Sequence, residues 1–165
     1  MAVEFSEKTK AEYEAVRRRY PTAQAALLPT LWLAQREFGW ISHEVMEYVA
    51  RLLDLPPARV AGVVSFYTMF YRRPMGRYHL QVCRNLPCTL RGARRITECL
   101  ERELGIRAGE TTPDGLFSLS EVECLASCGT APVLQLNDEY VENLTPESVL
   151  ELVEKLRAEA RGERA

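Results

Sequence analysis

At 165 residues with a formal charge of −2, the chain can form one good core or a small domain with an appended helical bundle. That charge gives no electrostatic reason to bind nucleic acid or an anionic membrane. The longest apolar run, Val60 to Tyr71, contains Ser65 and Thr68 and falls short of the about 20 residues that span a bilayer. No basic–apolar–small secretory pattern opens the chain, so a soluble cytosolic protein with reduced thiols and no membrane insertion is expected.

The first 70 residues read as helices. Residues 7–19 are charged and amphipathic, and 23–38 carry an apolar stripe of Leu27, Leu28, Leu31, Trp32 and Phe38. Pro29 must start or kink that second helix, because it lacks a donor and clashes one turn back. Ser42 caps a helix over His43–Asp54, and Pro56-Pro57 opens a fourth reaching to about Phe70. Arg72-Arg73-Pro74-Met75-Gly76 then breaks the periodicity, giving a helical docking region over 1–74, with Phe66, Tyr67, Phe70 and Tyr71 expected to be exposed for docking, and a second domain over 75–165.

Within that second domain, Tyr78–Cys83 alternates as a strand and 89–104 reads as a helix. Leu116–Glu123 and Val133–Leu136 are strands, the latter joined by Asn137-Asp138 to Glu139–Val141 in a hairpin. Thr145 caps a last helix with Pro146 at its first position, and the tail Arg157–Ala165 is expected to fray. The order is that of a small α/β domain similar to thioredoxin without its Cys-x-x-Cys. Both cysteine pairs then fall in loops just after strand ends, where such sheets place their sites.

Those pairs carry the chemistry. Four residues separate Cys83 from Cys88 and three separate Cys124 from Cys128. Redox pairs and zinc knuckles usually have two-residue gaps. Longer loops can wrap a flat two-iron rhombus with two thiolates on each iron, so a [2Fe–2S] centre is the leading reading and zinc its rival. Backbone N–H groups of Arg84, Asn85, Leu86, Ala126, Ser127 and Gly129 are candidate donors to sulfur, and Pro87 cannot be one. Glu123 would lower the potential if its side chain faced the cluster.

Other residues have plainer readings. Cys99 recurs with Ile96, Leu100 and Leu104 at helical spacing, as a small buried hydrophobe. His43 and His79 lie in no Cys-x-His loop, which removes a Rieske centre. Arg91, Arg94 and Arg95 form a solvated face pairing with Glu98 and Glu101, or a patch for an acidic partner. No Gly-x-Gly-x-x-Gly or Walker pattern occurs, so a nucleotide must be handled by a partner. Residues 43–70 could pass for a helix-turn-helix regulator, but Arg59 is the sole basic residue placed to read bases.

Asp114-Gly115-Leu116-Phe117-Ser118, Cys124-Leu125-Ala126-Ser127-Cys128 and Ala131-Pro132 resemble the signature of the NuoE family, as do Tyr78–Cys83 with Cys88 and Gly62–Tyr67. These are the thioredoxin-like [2Fe–2S] subunits of the NADH-dehydrogenase module of respiratory complex I. The resemblance implies one [2Fe–2S] cluster on Cys83, Cys88, Cys124 and Cys128. It implies FMN and NADH only on a NuoF-type flavoprotein partner, beside further peripheral-arm subunits on the cytoplasmic side of the inner membrane. It also implies an electron-transfer role in NADH:quinone oxidoreductase, or the equivalent role in an NAD-linked hydrogenase or formate dehydrogenase. The family usually has Gly where this chain has Ala126, so a positive φ there would store strain of about 1 kcal/mol.

Overall fold

Side-chain caps start the first and third helices. The Ser6 hydroxyl accepts from the Thr9 N–H ahead of α1 (Glu7–Arg18), and the Ser42 hydroxyl accepts from the Val45 N–H ahead of α3 (His43–Leu53). The computed structural model describes residues 3–162 and divides into two units, Met1–Pro74 and Met75–Ala165.

In the first unit, α2 (Leu27–Phe38) begins four residues later than the apolar periodicity suggests. Thr22 holds a turn there, accepting at Oγ1 from the Ala25 N–H and at its carbonyl from Ala26. Pro29 is the third helical residue, so its missing N–H falls among donors that have no intrahelical partner. Helix α4 (Pro57–Phe66) also stops short of Phe70. The reason is distant in sequence: the buried Gln35 amide donates to the Met69 carbonyl at 2.9 Å and accepts from the Tyr71 N–H at 2.7 Å. One side chain supplies both backbone partners that a continuing helix would have supplied. Phe70 is thereby turned into the core at 4% exposed, against Trp32, and Phe66 stays 77% exposed. The sequence-based grouping of Phe66, Tyr67, Phe70 and Tyr71 as one exposed aromatic set is corrected accordingly. Phe5 closes this core, its ring edge-on to Tyr48 at 5.1 Å and its N–H donating to the Tyr48 hydroxyl.

The second unit is α/β. Strands β1 (Tyr78–Cys83), β2 (Phe117–Val122), β3 (Leu134–Leu136) and β4 (Glu139–Val141) form one sheet in the order β2-β1-β3-β4. The β1–β2 pair is parallel and needs a helical crossover, whereas β3 and β4 are antiparallel and need only Asn137-Asp138. The crossover is two helices, α5 (Leu86–Leu90) and α6 (Ala93–Leu104), instead of one over 89–104. Gly92, at φ +95°, breaks them apart in a conformation that an L side chain resists. Thr145 and Ser148 form a reciprocal cap on α7 (Pro146–Ala160). That helix runs past Arg157, whose guanidinium meets the Glu103 carboxylate at 2.5 Å, so fraying does not begin there; residues 163–165 lie outside the described part.

Leu80, Val82, Phe117, Leu119, Ile96, Leu100 and Val153 share one apolar cluster, each 2% exposed or less. Each such side chain contributes about 1.5–3 kcal/mol of burial. Gly76 enters this unit against backbone: a Cβ there would lie 2.5 Å from the Phe117 carbonyl carbon. Gly76→Ala is expected to destabilise the sheet unit by about 1–3 kcal/mol, read from its denaturation midpoint, because backbone cannot yield as a rotamer can.

Candidate metal centre

Because β1 and β2 run parallel with Cys83 opposite Val122, Cys83 and Cys124 leave the sheet at the same end. Cys83 is the last residue of β1, with its N–H on the Val133 carbonyl. Cys88 stands on α5, so this pair is held by a strand and a helix instead of by one loop. Asn85 caps that short helix by accepting from the Leu86 N–H, and the Thr89 hydroxyl donates to the Arg84 carbonyl. Both thiols are buried.

The other pair is exposed. Cys124 follows β2, and Cys128 opens a short 3₁₀ turn (Cys128–Thr130). Their sulfurs lie 3.9 Å apart, and the Ala126 N–H points at the Cys124 sulfur from 3.3 Å. Of the other candidate donors, the Arg84 N–H is engaged by the Val122 carbonyl and the Leu86 N–H by the Asn85 cap. All five cysteines are free thiols.

The two pairs feel one another. Burial first, then the Cys83 hydrogen bond and the charges of Cys83 and Cys128, push the Cys88 thiol up from its ordinary range. The Cys124 hydrogen bond first, then burial and the charges of Cys124 and Cys83, push Cys128 up. Cys88 and Cys128 therefore hold their protons more firmly than ordinary thiols, and metal loading must release them. Among the described residues, no three His, Cys, Asp or Glu side chains gather at one point; the thiols come as pairs. Four sulfurs in two pairs, with an N–H aimed at one of them, fit a centre of two irons with two thiolates on each.

Around the thiols, Glu123 pairs with Arg84 at 2.7 Å, so its charge meets a guanidinium. Cys99 is half-buried on α6, its thiol 3.7 Å from the Pro146 carbonyl. His43 is exposed beside Glu47, and the buried His79 ring meets the Ser120 hydroxyl at 2.8 Å. Arg94 pairs with Glu98 at 2.9 Å, whereas the Glu101 carboxylate accepts from the Ala108 N–H instead of from the arginine run. Leu86 and Leu90, 66% and 77% exposed, flank Cys88 on α5, an apolar feature that the sequence reading passed over. It also passed over Glu142, whose carboxylate accepts from the Ser127 and Thr130 hydroxyls, which hold it below the usual carboxylate range. No local motif announces that contact.

Ala126 sits at φ +62°, so the strain foreseen for an alanine there is present. Ala126→Gly is expected to stabilise the loop by about 1 kcal/mol, less the entropy that glycine gains when unfolded. A denaturation midpoint that falls would contradict this.

The chain matches the thioredoxin-like [2Fe-2S] ferredoxin family over residues 13–157. It is 45% identical over 152 residues to a NuoE-type NADH-quinone oxidoreductase subunit of Rhizobium meliloti, covering 92% of this chain and 90% of that one. It is 48% identical over 159 residues to NADH-quinone oxidoreductase subunit 2 of Thermus thermophilus, covering 96% and 85%. In fold it resembles an air-oxidised NAD+-reducing [NiFe]-hydrogenase, with a TM-score of 0.72 and 22% identity over 81% of this chain and 23% of that much longer one. On these sequence relationships the chain belongs to the thioredoxin-like [2Fe-2S] ferredoxin family, in the group of NuoE-type NADH-quinone oxidoreductase subunits.

Proposed function

We propose that Cys83, Cys88, Cys124 and Cys128 hold one [2Fe–2S] cluster and that the chain is an electron-transfer subunit of an NADH-quinone oxidoreductase. The observation that carries this is that Cys83 and Cys124, each with a second cysteine close behind it, leave the parallel β1–β2 pair at the same end, in a chain of that family. When bound, such a cluster supplies one-electron chemistry, with a potential near −400 mV in plant-type ferredoxins. The protein's own part is to bury Cys83 and Cys88, to leave Cys124 and Cys128 at the surface, and to aim the Ala126 N–H at sulfur.

The chain works beside other subunits of the NADH-oxidising module. Its immediate neighbour, in this reading, is a NuoF-type flavoprotein that carries the NADH and FMN sites, with further peripheral-arm subunits around it. Among the described residues no helix is long and apolar enough to cross a membrane. In this reading, those subunits hold the chain at the cytoplasmic face of the inner membrane. Leu86, Leu90, Arg91, Arg94 and Arg95 give the approach to Cys88 an apolar centre with a basic rim, which suits an acidic partner. The likeness to the hydrogenase is one of fold, and the 45–48% identities to the quinone oxidoreductase relatives favour the quinone-linked complex.

The purified, loaded chain is expected to keep its visible spectrum with NADH and to bleach with dithionite. Adding the flavoprotein should make it respond to NADH, because flavin divides a two-electron donor into one-electron steps. Charge reversal at Arg91, Arg94 and Arg95 should slow that response more at low salt than at high. Bleaching of the isolated chain by NADH would overturn the partner-dependent reading, and co-purification with a hydrogenase flavoprotein would transfer it to the alternative complex.

A further inference from the structure

The two thiol pairs are supported very differently. Cys83 and Cys88 stand on a strand end and a capped helix, both buried. Cys124 and Cys128 are exposed, and between them lies Ala126 in a strained left-handed conformation. Regular structure there amounts to a three-residue turn, which supplies little stability of its own. A loop of that kind would sample many geometries unless it were tied down from outside.

It is tied down from one strand edge. The Tyr140 hydroxyl donates to the Leu125 carbonyl at 2.8 Å, and the Asn143 N–H donates to the Thr130 carbonyl at 2.7 Å. Between these anchors, one oxygen of Glu142 accepts from both the Ser127 and the Thr130 hydroxyls, the latter at 2.7 Å. Those hydroxyls also meet each other at 2.8 Å. Glu142 thus holds residues on both sides of Cys128 through side chains alone. Hydroxyl bonds to an ionised acceptor are among the stronger hydrogen bonds. A carboxylate near an anionic cluster opposes reduction, so its presence there calls for a geometric reason.

We propose that Glu142 is a positioning residue for the exposed half of the cysteine site, fixing the 124–130 turn so that Cys124 and Cys128 present their sulfurs at a set spacing. This rests on the reading that the four cysteines hold a [2Fe–2S] cluster. Two consequences separate geometry from charge. Glu142→Ala removes both. Glu142→Gln keeps an oxygen that can accept from both hydroxyls, though more weakly, and removes the charge.

The test uses the full chain loaded with cluster, with the rate of iron release to a chelator, visible circular dichroism and reduction potential measured on each variant. Glu142→Ala is expected to speed release about tenfold, the lower end of what loss of an outer-shell partner costs a metal site, and to alter the visible dichroism. Glu142→Gln should keep the wild-type dichroism and release iron more slowly than Glu142→Ala, while both variants raise the potential. Thr130→Val, which removes one of the two hydroxyls, should speed release in the same direction and stands in if Glu142→Ala does not fold. Unchanged release in Glu142→Ala, equal acceleration in Ala and Gln, or release that simply follows global unfolding would each overturn the assignment. A wild-type chain without iron and acid-labile sulfide would instead overturn the cluster reading on which it rests.

Discussion

Serine at Cys83, Cys88, Cys124 or Cys128 is expected to remove most of the iron and acid-labile sulfide from anaerobically purified protein, while Cys99→Ser leaves both intact. Losing a partner outside the ligand shell costs a metal site roughly 10–100-fold in affinity, and losing a thiolate should cost more. Serine keeps the volume of cysteine but is a poor donor to iron at neutral pH, so the change tests ligation and not packing. The buried pair adds a further penalty. Cys83 and Cys88 belong to the apolar cluster of the sheet unit, so a serine there also carries the cost of burying a more polar group. Cys99 provides the control, since its thiol faces the Pro146 carbonyl and a serine hydroxyl can donate to the same oxygen. One zinc per chain with no labile sulfide would refute the two-iron reading outright.

Local chemistry made much of the fold legible. Ser42 and Thr145 cap the helices that their position foretells, and Asn137 takes the positive φ, +52°, that joins β3 to β4. The cysteine gaps pointed to the two pairs because ligand spacing is itself a local property. What escaped the sequence was fixed by distant partners. Gln35 ends α4 from 34 residues away, and with it goes the expectation that Phe70 faces solvent. Gly92 splits the crossover because its backbone adopts φ +95°, a demand that periodicity of apolar residues does not register. Arg84 and Leu86 were poor candidates as sulfur donors, because β2 and the Asn85 cap had prior claims on their N–H groups. Glu142 was invisible, since nothing near it in the chain is a cysteine.

A chain comprising residues 75–165 should still assemble the cluster yet bind its flavoprotein more weakly than the whole chain. The four candidate ligand cysteines and every strand among the described residues lie in the Met75–Ala165 unit, whose core runs from Tyr78 to Leu156. The helical unit has a separate core, from Phe5 to Phe70. Each can therefore bury its apolar surface without the other, and iron and labile sulfide in the shortened chain should stay near one cluster. The weaker binding follows from what the helical unit exposes. Phe66, on α4, stands out beside Pro56, Ala58, Val63 and Tyr67, an apolar patch that water solvates poorly and that protein–protein interfaces commonly cover. Phe66→Ser in the full chain should reproduce part of the loss without touching the cluster, because Phe66 is almost fully exposed and contributes little to its own core. Comparison of dissociation constants for the three proteins decides the matter: equal affinity of the shortened and complete chains would end the docking role of residues 1–74.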